Sequence, residues 1–243
     1  MMNTTTTPDT LLQASGPDGL AGDERFPVFP VWLLVDTSSS MDGAPIAAVN
    51  AALPELKQLI LDDPTVGEIA RIAIVTFATG ASVALPLSDL ADTDLPRLTA
   101  GGSTNYRDAF DTAHRQIETG IRSLGTGTRF HTPVIFFLSD GQPTTGGDWT
   151  GALAALTDPA WKFRCEIVAF GFGDAHPETL SRIATRHALL ATDAPPAEQA
   201  KDIMATIIGS IRTTSQSLHG PDGGGLIVDA DPTRFTPLPV HQL

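Results

Sequence analysis

The sequence predicts an α/β fold built on a largely parallel sheet, and three observations lead there. Short β-branched apolar runs alternate along the chain with longer stretches of helical period, the pattern of strands joined by crossover helices. Several of the runs, VWLLV and VIFFL among them, are apolar throughout, as strands buried on both faces must be. At 243 residues the chain is long enough to give such a sheet a well-packed core within one domain.

The expected strands, in order, are Val28 to Val35, Arg71 to Phe77, Ala81 to Leu85, Val134 to Leu138, Glu166 to Phe170 and His187 to Ala191. Only Ala78-Thr79-Gly80 separates the second from the third. That is too short for a crossover helix, so this pair is expected as an antiparallel hairpin at a sheet edge. Helices fill the other gaps. Ile46, Val49, Leu53, Leu56 and Ile60 advance by three and four residues, as do Phe110, Ala113, Ile117, Ile121 and Leu124, and each set draws one apolar stripe. A shorter helix follows Asp148, another starts near Pro177, and Ala197 to Ile211 closes the fold. Pro54 predicts a kink or a restart in the first helix, because its ring has no N–H and crowds the carbonyl of Asn50.

Two tails flank this domain, which is expected to span residues 26–217. Residues 1–25 have the Thr, Asp, Gly and Pro composition of a disordered tail, and the Thr4 to Thr7 cluster within it is open to a kinase. Residues 218–243 carry three consecutive glycines at 223–225 and prolines at 221, 232, 237 and 239. They are read as an arm whose apolar patches, Leu226 to Val228 and Phe235 to Val240, can dock in extended form.

Charge and composition narrow the function. Lys and Arg total 15 against 28 Asp and Glu, a net charge of −13, which repels phosphate backbones and anionic membrane surfaces and argues against nucleic acid as a partner. The single cysteine, Cys165, rules out an intramolecular disulfide and a Cys-rich zinc site and is read as a small core residue. The segment before Arg25 lacks the charged and apolar regions of a signal peptide, and no apolar run approaches the ~18 residues of a membrane span. A cytoplasmic location is expected.

The chemistry gathers at strand ends. In VWLLVDTSSSM, Val31 to Met41, an apolar strand stops on one carboxylate and four hydroxyls. Continued in extended form, it puts Asp36, Ser38 and Ser40 on one side and Thr37 and Ser39 on the other, at the carboxyl end where open α/β sheets place ligands. The run VIFFL ends likewise on Ser139-Asp140-Gly141. Thr104 lies in AGGSTNYRDAF, a loop in which Gly101 and Gly102 permit unusual backbone angles before a helix begins. Two carboxylates facing each other repel unless one is protonated or a cation lies between them. Hydroxyls and carboxylates without His or Cys select a hard ion, and a small site with room for water suits Mg²⁺ or Mn²⁺ better than Ca²⁺. A partner's carboxylate can then fill the open position.

Other readings of these residues are weaker. Each of Asp36, Ser38 and Ser40 taken alone serves equally as a helix cap, and Asp140 as a turn former. A phosphoacceptor reading of Asp36 fails because Ser38 stands where a second acid is needed. Ser139 lacks the glycine two residues earlier that a nucleophile elbow requires. The six histidines show no paired ligand spacing. Trp149 is read as a packing group or, from its loop beside the strand ends, as a partner contact.

The set D-T-S-S-S at 36–40, T-N-x-x-x-A at 104–109 and S-D-G at 139–141 resembles the metal-ion-dependent adhesion site (MIDAS) of von Willebrand factor A domains. That resemblance covers roughly Phe26 to Ser217 and implies metal-site roles for Asp36, Ser38, Ser40, Thr104 and Asp140. It implies a three-layer, Rossmann-like fold, with a mainly parallel six-stranded sheet, one antiparallel edge strand and helices on both faces. It also implies a non-enzymatic protein that uses Mg²⁺ (or Mn²⁺, with Ca²⁺ less suited) to bind an acidic side chain of a protein partner. LLVDTSSSMDGAPIAAVNAAL, IAIVTF, LSDGQPT and VAFGFGDAH look most like the stand-alone bacterial members of tellurium-resistance and chemical-stress operons, which implies a kinase and phosphatase stress system as context. Two other classes remain open. One is a subunit serving an AAA+ ATPase of the metal-chelatase kind, although the chain has no P-loop of its own. The other is a metal-dependent hydrolase, for which no general base is identifiable. Ser39 stands where the family often has glycine, and Asp42 adds a third acid, which makes the loop stiffer and more negative.

Overall fold

The computed structural model describes residues 12–13, 26–220 and 224–240. In chain order, strand β1 (Leu12–Gln13) is followed by β2 (Phe29–Asp36), helices α1 (Ala44–Asp62) and α2 (Pro64–Ile69), and strands β3 (Ala70–Phe77) and β4 (Ala81–Ser88). Helix α3 (Tyr106–Ser123), β5 (Arg129–Phe130), β6 (Val134–Ser139), α4 (Thr150–Thr157) and β7 (Glu166–Gly171) come next. The described chain closes with α5 (Pro177–Ile183), β8 (His187–Ala191), α6 (Pro196–His219) and β9 (Phe235–Leu238).

Among the described residues seven strands form the main sheet, in the order β4-β3-β2-β6-β7-β8-β9. β2 is an interior strand, third in that order, parallel to β3 on one side and β6 on the other. All eight of its residues are buried, which is why its sequence runs apolar without a break up to Asp36. Alternation sends Val31, Leu33 and Val35 to the face covered by α1 and α6, where they meet Val49, Leu53, Ile203 and Ile207. Trp32 and Leu34 point to the face covered by α3, α4 and α5, against Phe110, Ile117, Leu153 and Leu180. The three-layer α/β class and the β3–β4 hairpin are as the sequence predicts.

Three details differ from expectation. The sheet has seven strands rather than six, and two antiparallel edges rather than one, because the C-terminal arm adds β9 beside β8. Phe235 drives this docking: it is buried, with its ring 5.9 Å from that of Phe170. Pro237 is tolerated because an edge strand leaves one side unpaired. Second, α1 continues through Pro54 instead of restarting. Pro54 is exposed, so the bond it removes faces water, while Asn50 bonds sideways from its side chain to the main chain of Leu98 at 2.9 and 2.8 Å. Third, α6 runs on to His219, longer than its apolar stripe alone indicates.

The 1–25 tail and its Thr4 to Thr7 cluster lie outside the described residues, save that Leu12–Gln13 pairs antiparallel with Arg129–Phe130. Among the described residues no helix is long and apolar enough to cross a membrane.

Candidate metal centre

β2 and β6 are adjacent and parallel, so their carboxyl ends deliver Asp36 and the Ser139-Asp140-Gly141 turn side by side. Asp36 is the last residue of β2 and fully buried. Its Oδ1 accepts from the Ser38 amide at 2.8 Å, the two-residue turn that Asp side chains favour. Its Oδ2 accepts from the Ser139 hydroxyl at 2.6 Å. The chain stays extended through Ser38 and then enters a tight helical turn, Ser39–Met41. That turn brings Ser40 back to within 3.0 Å of the Ser38 hydroxyl. Ser40 Oγ donates to Asp140 Oδ1 at 2.8 Å, so between the two serines it is Ser38 that donates.

The opposite side of the loop does a different job. Thr37 Oγ1 donates to Phe77 O at 3.2 Å and Ser39 Oγ to Gly102 O at 2.9 Å, while the Gly101 amide donates to Thr37 O at 2.8 Å. The alternation predicted for 36–40 thus separates site-facing from loop-anchoring hydroxyls. Gly102 is required where it stands: its φ is +89°, and a Cβ there would lie 2.5 Å from Thr79 Oγ1.

Thr104 is buried, two residues beyond this anchor. Its carbonyl accepts from the amides of Thr144 and Thr145 at 2.9 and 3.1 Å, and its amide donates to Thr144 Oγ1 at 3.0 Å. The 101–104 segment is therefore stitched on one side to the serine loop and on the other to the loop that follows Asp140. Among the described residues the Thr104 hydroxyl has no hydrogen-bond partner.

Electrostatics sharpen the picture. Burial pushes the Asp36 carboxyl up to about 6, against hydrogen bonds from Ser139 and Ser38 that favour its ionised form. Asp140 is also raised, first by burial, with Ser40 opposing and Asp174 adding to the effect. Two carboxylates that both resist ionisation are a place where a cation lowers the energy. Among the described residues no three His, Cys, Asp or Glu side chains are placed to hold one metal ion, so an ion held here would take two carboxylates and neutral hydroxyl oxygens. That donor set fits a hard divalent cation. Beside it opens a groove of about 530 Å³ lined by Ser40, Asp42, Asp140, Phe172, Asp174 and Pro195.

The structure joins Asp36, Ser38, Ser40 and Asp140 in one hydrogen-bonded cluster and brings the Thr104 loop against it. It moves Trp149 out of consideration as a partner contact: the indole is 8% exposed and packs on Tyr106 and Phe110. Cys165 is buried, with its thiol raised by burial. Sequence reasoning missed three residues. Ser139 holds Asp36, Tyr106 donates towards Ser139 Oγ and Gly141 O at 2.9 Å each, and Asp174 gives its amide to Asp140 O at 2.9 Å. The available signal was position alone, since Ser139 directly precedes Asp140 and Tyr106 follows Thr104 by two.

An open parallel sheet with acids and hydroxyls at its central strand ends defines a ligand-binding domain of the Rossmann-like class. The chain belongs to the von Willebrand factor type A domain family, which it matches over residues 31–206, well over half of its length. No curated protein matches it. Among solved structures it is similar to proximal thread matrix protein 1 from the mussel byssus with a zinc-occupied MIDAS motif, at 18% identity and a TM-score of 0.56, covering 77% of this chain and 48% of that one. It is similar also to a von Willebrand factor type A protein from Catenulispora acidiphila, at 19% identity and a TM-score of 0.55, covering 86% and 52%. A third is the open conformation of the pilus adhesin SpaC from Lactobacillus rhamnosus GG, at 14% identity and a TM-score of 0.54, covering 84% and 33%. At these identities the likeness is one of fold, and the chain spans about half the length of the first two.

Proposed function

We propose that this domain is a metal-dependent protein-binding module of the MIDAS type, which holds a divalent cation and through it grips an acidic side chain of a partner. The observation that carries the reading is the convergence of Asp36 and Asp140 with the Ser38 and Ser40 hydroxyls, two carboxylates raised by burial and linked through Ser38 and then Ser40. The zinc-occupied MIDAS named for the byssus protein supports it. Asp36 and Asp140 would balance the charge, while Ser38, Ser40 and Thr104 would supply neutral oxygens. Mg²⁺ is the proposed ion, with Mn²⁺ next and Ca²⁺ less suited. When bound, it supplies an electrophilic position for a carboxylate from outside. Asp36 is enclosed, so the incoming group must approach over Ser40 and Asp140, where the groove opens.

The site binds rather than turns over substrate in this reading, with Ser40 and Ser139 spending their protons on Asp140 and Asp36. A cytoplasmic role in a tellurite or chemical-stress response system belongs to the same proposal. It rests on the resemblance of LLVDTSSSMDGAPIAAVNAAL and VAFGFGDAH to stand-alone bacterial members.

Immobilised full-length protein exposed to lysate in Mg²⁺, then eluted with EDTA, tests the reading. A partner retained in Mg²⁺, released by EDTA and absent from Asp36→Ala is expected, and its identity separates a stress-system component from an ATPase. Equal recovery with and without metal would defeat the bridge.

A further inference from the structure

Tyr106 is the only tyrosine of the chain, and it is fully buried at the first position of α3. Core residues fix its ring: Phe137 packs edge-on at 5.1 Å, Phe77 at 5.7 Å and Trp149 at 6.0 Å. A ring held this way cannot follow a moving partner, so its hydroxyl is a fixed point set by the core. Ser139 Oγ and Gly141 O both lie 2.9 Å from that point. These are the two neighbours of Asp140 in the chain. Ser139 spends its own proton on Asp36 Oδ2 at 2.6 Å, so the Tyr106 O–H must donate to one or other of its two partners. That one proton, shared between the two acceptors, ties the fixed ring to both neighbours of Asp140: to the side chain of Ser139, which holds Asp36, and to the Gly141 carbonyl.

We infer that Tyr106 is a positioning residue that fixes the separation of Asp36 and Asp140 and so makes the site discriminate in favour of a small divalent cation over a large one. This rests on the metal-binding reading given above. Oxygen ligands sit about 2.0–2.1 Å from Mg²⁺ in near-octahedral array and about 2.3–2.6 Å from Ca²⁺ in looser, more numerous arrangements, so cavity size and ligand flexibility decide between them. A braced pair of strand ends resists the outward shift that the larger ion requires. Without the brace, the carboxylates relax to suit either ion, and the smaller one loses the preorganised fit that favoured it.

Phe at this position keeps the ring packing and removes only the hydroxyl. Titration calorimetry of the full chain with MgCl₂ and with CaCl₂ should show the Tyr106→Phe variant binding Mg²⁺ about tenfold more weakly, with Ca²⁺ affinity changed less than about twofold. Ser139→Ala cuts the same brace from its other end and should shift the Mg²⁺ to Ca²⁺ ratio in the same direction. A residue that merely stabilised the fold would lower both affinities together or only the melting temperature. An unchanged ratio in both variants overturns the inference while leaving the metal reading intact. Failure of the unaltered chain to bind either ion overturns both.

Discussion

Asp36 and Asp140 present the same functional group from adjacent strand ends, in opposite surroundings. Asp36 is sealed, with one oxygen taken by the Ser38 amide and the other by Ser139, itself backed by buried Tyr106. Asp140 lies one residue past its strand, 7% exposed, held by the hydroxyl of exposed Ser40, and borders a groove shared with Asp42 and Asp174. The difference teaches a division of labour. The sealed acid belongs to the frame and cannot meet a partner, whereas the rim acid stands where a partner must pass.

Replacing each acid by its neutral isostere tests that division most severely. Asp36→Asn removes a buried charge while its amide can still reach the Ser139 and Ser38 partners, since the Ser139 hydroxyl can turn towards Gly141 O, 3.5 Å away. The fold should survive, but breaking a buried ion pair from one side costs about 3–5 kcal/mol, so Mg²⁺ affinity should fall more than about a hundredfold. Asp140→Asn acts at a wetter position, where a charge-assisted contact is worth about 1.5–3 kcal/mol, and should weaken Mg²⁺ by about ten- to a hundredfold. Calorimetric titration ranks them. Equal losses would show that both acids serve the same role and would erase the comparison.

pH gives the next test, through stability. A rise in the Asp36 pKa from 3.8 to about 6 on folding means that the metal-free native state holds its proton more tightly than the unfolded chain. The stabilisation from that proton is complete below pH 3.8 and is lost as pH rises through about 6, for a total of about 3 kcal/mol. Bound cation requires the carboxylate and reverses the slope. The melting-temperature gap between Mg²⁺-loaded and EDTA-treated protein should therefore widen as pH rises from about 5 to about 7. A gap that stays constant over that range would mean that Asp36 does not titrate there and that its burial is not what readies it for a cation.

Why Asp36 and Asp140 were visible in the sequence while their supports were not follows from how each is specified. A fully apolar run that stops on a polar strand end leaves little choice about where the adjacent carboxylate lies: β2 stops on Asp36 itself, and β6 on Ser139 with Asp140 next. Ser38 and Ser40 were legible as alternation, although it is the turn at Ser39–Met41 that completes the geometry. Ser139 and Tyr106 act through the direction of a hydroxyl inside the core, which periodicity does not encode. Tyr106 sits four residues before Phe110 on the same stripe and reads as one more apolar contact. The two sheet edges repeat the lesson. β4 follows β3 across three residues and was predicted as a hairpin, whereas β9 returns from afar to be clipped in place by Thr192 Oγ1 donating to Arg234 O, 42 residues away in sequence. Local turns are written in sequence, but a long-range pairing through a Gly- and Pro-rich arm depends on which edge the finished sheet leaves open.

The rim itself supplies the smallest effect and the finest test of the division. Asp42 is exposed and lines the groove together with Asp174, on the path to Asp140. Charges so placed act through solvent, within a Debye length of about 10 Å at 0.1 M salt, and exposed pairs contribute little. Asp42→Asn should therefore leave the melting temperature unchanged and weaken Mg²⁺ by no more than about twofold at low salt, with the effect gone at about 0.5 M NaCl. A loss as large as that of Asp140→Asn, persisting in high salt, would make Asp42 a direct holder of the ion. The boundary between frame and rim would then have to be redrawn to include the serine loop.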